Sequence, residues 1–179
     1  DRLPGRDPRP WGPALSEPAA ACPVGGERRL TDGEVALAQT VFGQAIDYRK
    51  VTIRRRKWFP LQPRRITMAP RGHIHFHPLA SAYCDDFARE TPLRQGLLIH
   101  ELTHVWQTQS RGEWYLVLHR HPWCRYDYSL KPGWKLEKYG IEQQAEIVRH
   151  AFLLRRGTRL AGVSDAAAYD VLVNFPGTP

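Results

Sequence analysis

The segment HELTH at residues 100–104 constrains this chain more than any other part of its sequence. On an α-helix, residues four apart lie above one another on one face, so His100 and His104 can bind the same metal ion. Glu101 lies beside them, where a carboxylate can accept a proton from water. Thr91-Pro92 before this segment and Ser110-Arg111-Gly112 after it are typical of helix ends. The sequence therefore predicts a helix over residues 92–109 with a Zn²⁺ site at its centre.

A second predicted helix supplies the third metal ligand. Catalytic zinc usually has three protein ligands and one open position. Glu142 and Glu146 are four residues apart in a segment whose apolar residues fall on one side, so both carboxylates share a helix face. One of them can bind the metal while the other accepts the outer N–H of a ligating histidine. Either glutamate could be the ligand, and both could instead be ordinary solvated residues.

This pair of helices resembles the active site of the gluzincins, in which a downstream glutamate ligand is followed four residues later by an acidic residue. The match is loose, because the usual asparagine before the ligand is Ile141 here and the usual Ser-Asp is Ala145-Glu146. The resemblance implies Glu101 as the general base, His100, His104 and Glu142 as the metal ligands, and Glu146 as the residue that holds His100.

Two other groups of histidines offer alternative ligands. His119 and His121 follow the motif at the distance where SprT-like DNA–protein-crosslink proteases place a third histidine. His73, His75 and His77 alternate, so on a strand their imidazoles would share one face and could bind a metal. A half-exposed edge strand is the simpler interpretation of these three residues.

A wider resemblance covers residues 30–150. Its elements, in order, are a helix that opens with a capping box at Thr31-Asp32-Gly33-Glu34 and ends near Phe42-Gly43, short strands at 51–56, 65–69 and 73–77, the segment GLLIHELTHVWQ at 96–107, and EQQAE at 142–146. This order resembles the small metallopeptidase domains found with bacterial Vgr and Rhs proteins and in extracellular contractile injection systems. The resemblance implies an α+β, zincin-like fold, bound zinc and association with secretion or toxin-delivery machinery.

The proline-rich residues 1–28 are expected to form an extended arm or linker, or a segment that blocks the cleft, and residues 29–179 one domain. We expect Gly157 to end the second active-site helix and Ser164 to cap a last helix that runs to Asn174.

No apolar run approaches the length of a membrane span. The chain begins at Asp1 rather than methionine, which indicates a fragment or a processed form, either cytoplasmic or exported. Its three cysteines (Cys22, Cys84 and Cys124) allow one disulfide at most and leave open whether any forms.

The net charge of +8 comes largely from clusters at residues 54–57, 64–65 and 155–156. Such a surface attracts anionic partners, for example nucleic acid, an acidic protein or an envelope polymer. The aromatic and basic segment 112–135 could stack single-stranded bases. A soluble basic surface without a specific partner is the simpler interpretation.

The function predicted from these residues is zinc-dependent hydrolysis of peptide bonds, in which Glu101 takes a proton from water and passes it to the leaving amine. An extended substrate could pair with the strand at 73–77. Two alternatives stay open: a zinc-containing binding or assembly module without turnover, and a SprT-like DNA-associated protease. Four side chains are candidates for stabilising the oxyanion: Tyr126, Tyr128, His119 and His121.

Overall fold

The computed structural model describes residues 20–121, 123–163 and 165–178. Its helices and strands are, in chain order, β1 (Glu27–Arg29), α1 (Asp32–Phe42), β2 (Thr52–Arg54), β3 (Ile74–His75), α2 (Pro92–Arg111), α3 (Tyr115–His119), α4 (Ile141–Arg155) and α5 (Ala166–Leu172), with short 3₁₀ turns at Tyr48–Lys50, Phe87–Arg89 and Leu136–Lys138. The predicted α+β class is confirmed. Most of the predicted arm at 1–28 lies outside the described residues, although its last two residues belong to β1.

The three strands form one small sheet in the order β1-β2-β3. β1 pairs antiparallel with β2, and β2 pairs parallel with β3 through Ile53 and Ile74. The strands predicted at 51–56 and 73–77 are therefore present but shorter, and β1 was not predicted. The strand predicted at 65–69 is wrong, since that segment contributes only a single bridge between Met68 and His75.

The expectation of a half-exposed strand at 73–77 is also wrong, although β3 does lie at the edge of the three-stranded sheet. Residues 74–77 are all buried. His75 packs edge-on against the Trp58 ring, with 5.4 Å between the ring centroids. Its backbone N–H donates to the Met68 carbonyl, and its carbonyl accepts from the Met68 N–H. A substrate strand therefore cannot pair with β3 at His75.

Helix α1 begins with the predicted capping box. The Thr31 hydroxyl accepts from the Glu34 N–H at 3.0 Å, and the Glu34 carboxylate accepts from the Thr31 N–H at 2.9 Å. The same buried carboxylate forms a 2.7 Å ion pair with Arg28 of β1. The capping box thus begins the first helix and also joins it to the sheet.

Helices α2 and α4 pack against each other at the centre of the molecule. Leu98, Leu102 and Val105, the predicted apolar stripe of α2, are completely or almost completely buried. Gly96 lies at the contact, since a Cβ there would be 3.3 Å from Cδ2 of Leu153 on α4. The glycine therefore lets the two backbones approach closely, and this contact brings the two predicted metal-binding segments together.

Helix α4 ends as predicted before Gly157, which has φ +75°. The Thr158 N–H bonds to the Leu153 carbonyl and the Gly157 N–H to the Leu154 carbonyl, as in a Schellman motif. The last helix is capped by Asp165, whose side chain accepts from the Ala168 N–H. The expected cap, Ser164, lies outside the described residues, and the helix is shorter than predicted.

Among the described residues all three cysteines are free thiols, with Cys22 buried and Cys84 and Cys124 partly buried. No helix in the described part of the chain combines the length and the apolar character that a membrane span requires.

Candidate metal centre

Three buried side chains from α2 and α4 converge on one point. The Nε2 atoms of His100 and His104 lie 3.4 Å and 3.2 Å from Oε2 of Glu142. Within the described ranges, these three residues form the one group of possible metal ligands whose donor atoms all lie within 4.8 Å of one another. A tetrahedral ion with ligand distances of about 2.0–2.1 Å requires donors roughly 3.3–3.4 Å apart. The spacing therefore fits a cation of the size and geometry of Zn²⁺.

Gln107 fixes the tautomer of His104. Its amide nitrogen donates to the Ile141 carbonyl and to Oε1 of Gln144, both at 3.0 Å. Its own Oε1 must therefore face Nδ1 of His104, which it contacts at 2.8 Å, and accept the proton there. The lone pair on Nε2 is left to point at the metal position. The sequence prediction gave Gln107 no role, although its spacing of three residues from His104 on a helix was a usable signal.

The Glu146 carboxylate contacts the outer nitrogen of the His100 ring, as predicted. Its Oε1 lies 2.8 Å from Nδ1 of His100, on the side of the ring that faces away from Glu142. With Nδ1 of His104 bonded to Gln107 and Nδ1 of His100 facing Glu146, the two Nε2 atoms and Oε2 of Glu142 converge on one position. Donors turned towards one another repel unless a cation or a proton lies between them. This arrangement is the strongest indication in the structure that the site binds a metal.

The charges around the site favour a positive group at its centre. Burial lowers the pKa of His100, but Glu142 and Glu146 outweigh burial and raise that pKa to about 9. Burial raises the pKa of Glu142, yet the two histidines and Arg120 hold it far below its usual range. Both shifts have one physical cause, a concentration of negative charge from Glu142 and Glu146 around the two imidazoles, which favours a cation at this point.

Arg120 binds the other oxygen of the Glu142 carboxylate. Its Nε lies 2.6 Å from Oε1, and the side chain is only 18% exposed. Oε1 thus forms an ion pair with the guanidinium, while Oε2 is the oxygen that faces the histidines. The buried Nη1 of Arg120 has no hydrogen-bond partner among the described residues. The sequence prediction missed this residue, because nothing in the string around position 120 indicates a contact with position 142.

Glu101 is nearly inaccessible to solvent, at 4% exposure. Its Oε2 is buried and accepts no hydrogen bond from any described residue. Leaving a buried carboxylate oxygen unpaired is unfavourable, so such an atom in a native fold calls for a partner that arrives from outside the chain.

One of the four predicted oxyanion stabilisers lies at the site. The Tyr126 ring stacks on His100 with 6.5 Å between the centroids, and its hydroxyl is close enough to Arg120 and Glu142 for both to influence its pKa. Burial and the Glu142 charge raise that pKa, while a hydrogen bond with Arg120 opposes the rise.

The other three candidates have their contacts outside the cluster of His100, His104 and Glu142, and their role stays a prediction. The Tyr128 hydroxyl lies 2.7 Å from the Tyr169 hydroxyl and bonds to His150. His119 bonds to the Tyr115 carbonyl, and the exposed His121 lies beside Trp123. Neither histidine joins the ligand cluster, so Glu142, and not His119, is the third residue of that cluster.

Comparisons with known proteins identify relatives of this chain. No protein-family model matches the sequence. The type VI secretion system spike protein VgrG2b of Pseudomonas aeruginosa is 41% identical over 156 residues, which is 83% of this chain and 15% of the length of that protein. The solved effector domain of Pseudomonas aeruginosa VgrG2b has 37% identity and a TM-score of 0.64, and the match covers 82% of this chain and 83% of that chain.

Proposed function

The chain belongs to the family of the VgrG2b effector domain, and from that relationship we propose that it is a zinc-dependent peptidase delivered as an effector of a bacterial type VI secretion system. Its fold is of the zincin type, its substrates are peptides or proteins, and its site of action lies beyond the cell that secretes it. The observation that carries the proposal is the convergence of His100, His104 and Glu142 on one buried point.

The ligand set determines what kind of metal chemistry is available. Two imidazoles and one carboxylate are the donors of catalytic zinc sites that keep a position open for water or substrate. Zinc bound there polarises a carbonyl group and lowers the pKa of water to about 7. Gln107 and Glu146 orient the two rings, and Arg120 keeps Oε1 of Glu142 occupied.

Glu101 is the general base of the proposed reaction. Its buried, unpaired Oε2 accepts a proton from the attacking water and then delivers it to the leaving amine. The guanidinium of Arg120 and the hydroxyl of Tyr126 flank the site, and the Tyr126 hydroxyl donates to the oxyanion that forms at the scissile carbonyl.

The main alternative is a binding module that keeps zinc without turnover. A purely structural zinc site has no use for Glu101, and an unpaired buried carboxylate oxygen would only reduce its stability. That atom therefore favours catalysis over a structural role. A SprT-like protease would need His119 near the metal, and its imidazole bonds to the Tyr115 carbonyl instead.

The test is a digest of a diverse peptide mixture by the zinc-loaded chain, with mass spectrometry to identify the cleaved bonds. We expect Glu101→Gln to retain zinc and thermal stability while cleavage falls by about 10²–10⁴-fold, the usual contribution of a general base. Glu137→Gln, which changes an exposed glutamate, is the matched control and should cleave at the wild-type rate. Wild-type rates from Glu101→Gln, or no cleavage by the zinc-loaded wild type, would contradict the proposal.

A further inference from the structure

The loop over residues 57–66, here called the basic loop, combines exposed apolar and cationic side chains. Leu61 is 84% exposed, Ile66 44% and Phe59 39%. Three cations, Lys57, Arg64 and Arg65, are exposed in the same ten-residue stretch. None of the three forms an ion pair with a described residue, whereas Arg54 and Arg56 just before the loop both pair with Glu27.

The basic loop is held in shape from inside by Gln62. This side chain is 2% exposed; its amide nitrogen donates to the carbonyls of Ile66 and His75, and its oxygen accepts from the Trp58 N–H. Trp58 in turn packs on the buried His75 ring. A polar residue occupies the interior of the loop while apolar residues are held in solvent. The exposure of Leu61 is therefore a property of the folded loop.

These side chains match one kind of surface better than others. Nucleic acid would use the cations, but bases stack on aromatic rings and gain little from aliphatic side chains such as Leu61 and Ile66. A phospholipid bilayer offers phosphates at its surface and hydrocarbon just beneath them. Long cationic side chains can reach the phosphates while a short apolar tip enters the boundary with the acyl chains.

We propose that the basic loop docks this protein on an anionic phospholipid bilayer. Leu61, Phe59 and Ile66 enter the interface between headgroups and acyl chains, and the three cations bind lipid phosphates. The net charge of +8 adds long-range attraction to a negatively charged membrane surface. This docking is independent of zinc and of hydrolysis, and it would hold a peptidase close to proteins at a membrane surface.

The experiment measures binding of the full 179-residue chain to vesicles by co-sedimentation. Vesicles of phosphatidylcholine mixed with phosphatidylglycerol should bind the chain, and pure phosphatidylcholine vesicles should bind it far more weakly. Each cation near such a surface contributes about fivefold in affinity, so Arg64→Gln combined with Arg65→Gln should weaken binding about 25-fold. Leu61→Ser should weaken it about tenfold, because it removes one buried aliphatic side chain.

Two matched controls show whether these effects belong to the basic loop. Val171→Ser changes another apolar residue with 84% exposure, and Arg159→Gln removes an exposed charge elsewhere. Both should bind as the wild type does, and thermal unfolding should show that every variant is folded. Equal binding to both kinds of vesicle, no binding at all, or equal losses in the control variants would overturn the proposal. It would also fail if Leu61→Ser had no effect and duplex DNA displaced the chain, which would indicate a general polyanion site.

Discussion

At the scale of single residues, Arg120 and Gln107 have the same kind of role, since each holds one of the proposed metal ligands in place. Gln107 keeps His104 in the tautomer that leaves Nε2 free, and Arg120 occupies one oxygen of Glu142. Such outer contacts typically change metal affinity or activity by about 10–100-fold when removed. Metal affinity should therefore depend on Gln107 and Arg120 as well as on the three residues that would touch the metal.

Replacement of Arg120 by alanine should loosen the metal centre. Glu142 would keep its charge but lose the partner of Oε1, so we expect zinc affinity to fall by about 10–100-fold. Competition with a chromophoric chelator measures that affinity independently of cleavage. Arg125→Ala is the control, because that arginine pairs with Asp127 on the exposed surface, where ion pairs contribute little. Wild-type zinc affinity in Arg120→Ala would show that the guanidinium does not support Glu142.

At the scale of secondary-structure elements, the packing of α2 against α4 determines the geometry of the proposed metal site. The two histidines come from α2, and both glutamates come from α4. Their close approach depends on the absence of a side chain at Gly96, which faces Leu153 and Arg149 of α4. Any shift of α4 moves Glu142 and Glu146 together. Packing of the core and geometry of the proposed metal site are therefore coupled.

Gly96→Val should test that coupling. The valine side chain has no room against Leu153, so we expect a loss of about 1–3 kcal/mol in the free energy of unfolding. Zinc affinity should fall as well, because α4 has to move away. Urea unfolding of the metal-free chain and chelator competition measure the two effects. Leu93→Val, at a largely exposed position of the same helix, should change neither of them appreciably. A lower stability with unchanged zinc affinity would disprove the coupling.

At the scale of the whole molecule, the buried His75 should make the free energy of unfolding depend on pH in the acid range. Burial lowers its pKa from 6.5 to about 4, although a bond to the Arg56 carbonyl opposes the change. The folded chain keeps His75 neutral while the unfolded chain takes up the proton. Stability should therefore be unaffected by His75 above pH 6.5 and should decrease as the pH falls from 6.5 towards about 4.

His75→Asn should reduce this dependence on pH. The variant has no group to protonate at position 75, so its melting temperature should fall less than that of the wild type between pH 6.5 and about 4. Thermal unfolding at a series of pH values, with metal removed, measures the difference. His119→Asn changes an exposed histidine and should follow the wild-type curve. Parallel curves for His75→Asn and wild type would show that His75 is not responsible.

Most of the features that could be predicted from the sequence depend on a single helix or a single turn. The spacing of His100 and His104, the capping box at Thr31 and Glu34, and the end of α4 at Gly157 depend on neighbours within a few residues. Backbone geometry fixes such neighbours in any fold. These features were therefore readable in advance, and the structure confirms them.

The remaining features were decided by packing between distant segments. Helix spacing alone did not distinguish the two glutamates, and only the resemblance to the gluzincins favoured Glu142 as the ligand. In the structure, the crossing of α2 and α4 directs Glu142 to both histidines and places Glu146 next to Nδ1 of His100. Arg120 and the burial of His75 likewise depend on contacts with segments far away in the sequence. Local spacing determines which side chains share a face, whereas the tertiary structure decides what that face meets.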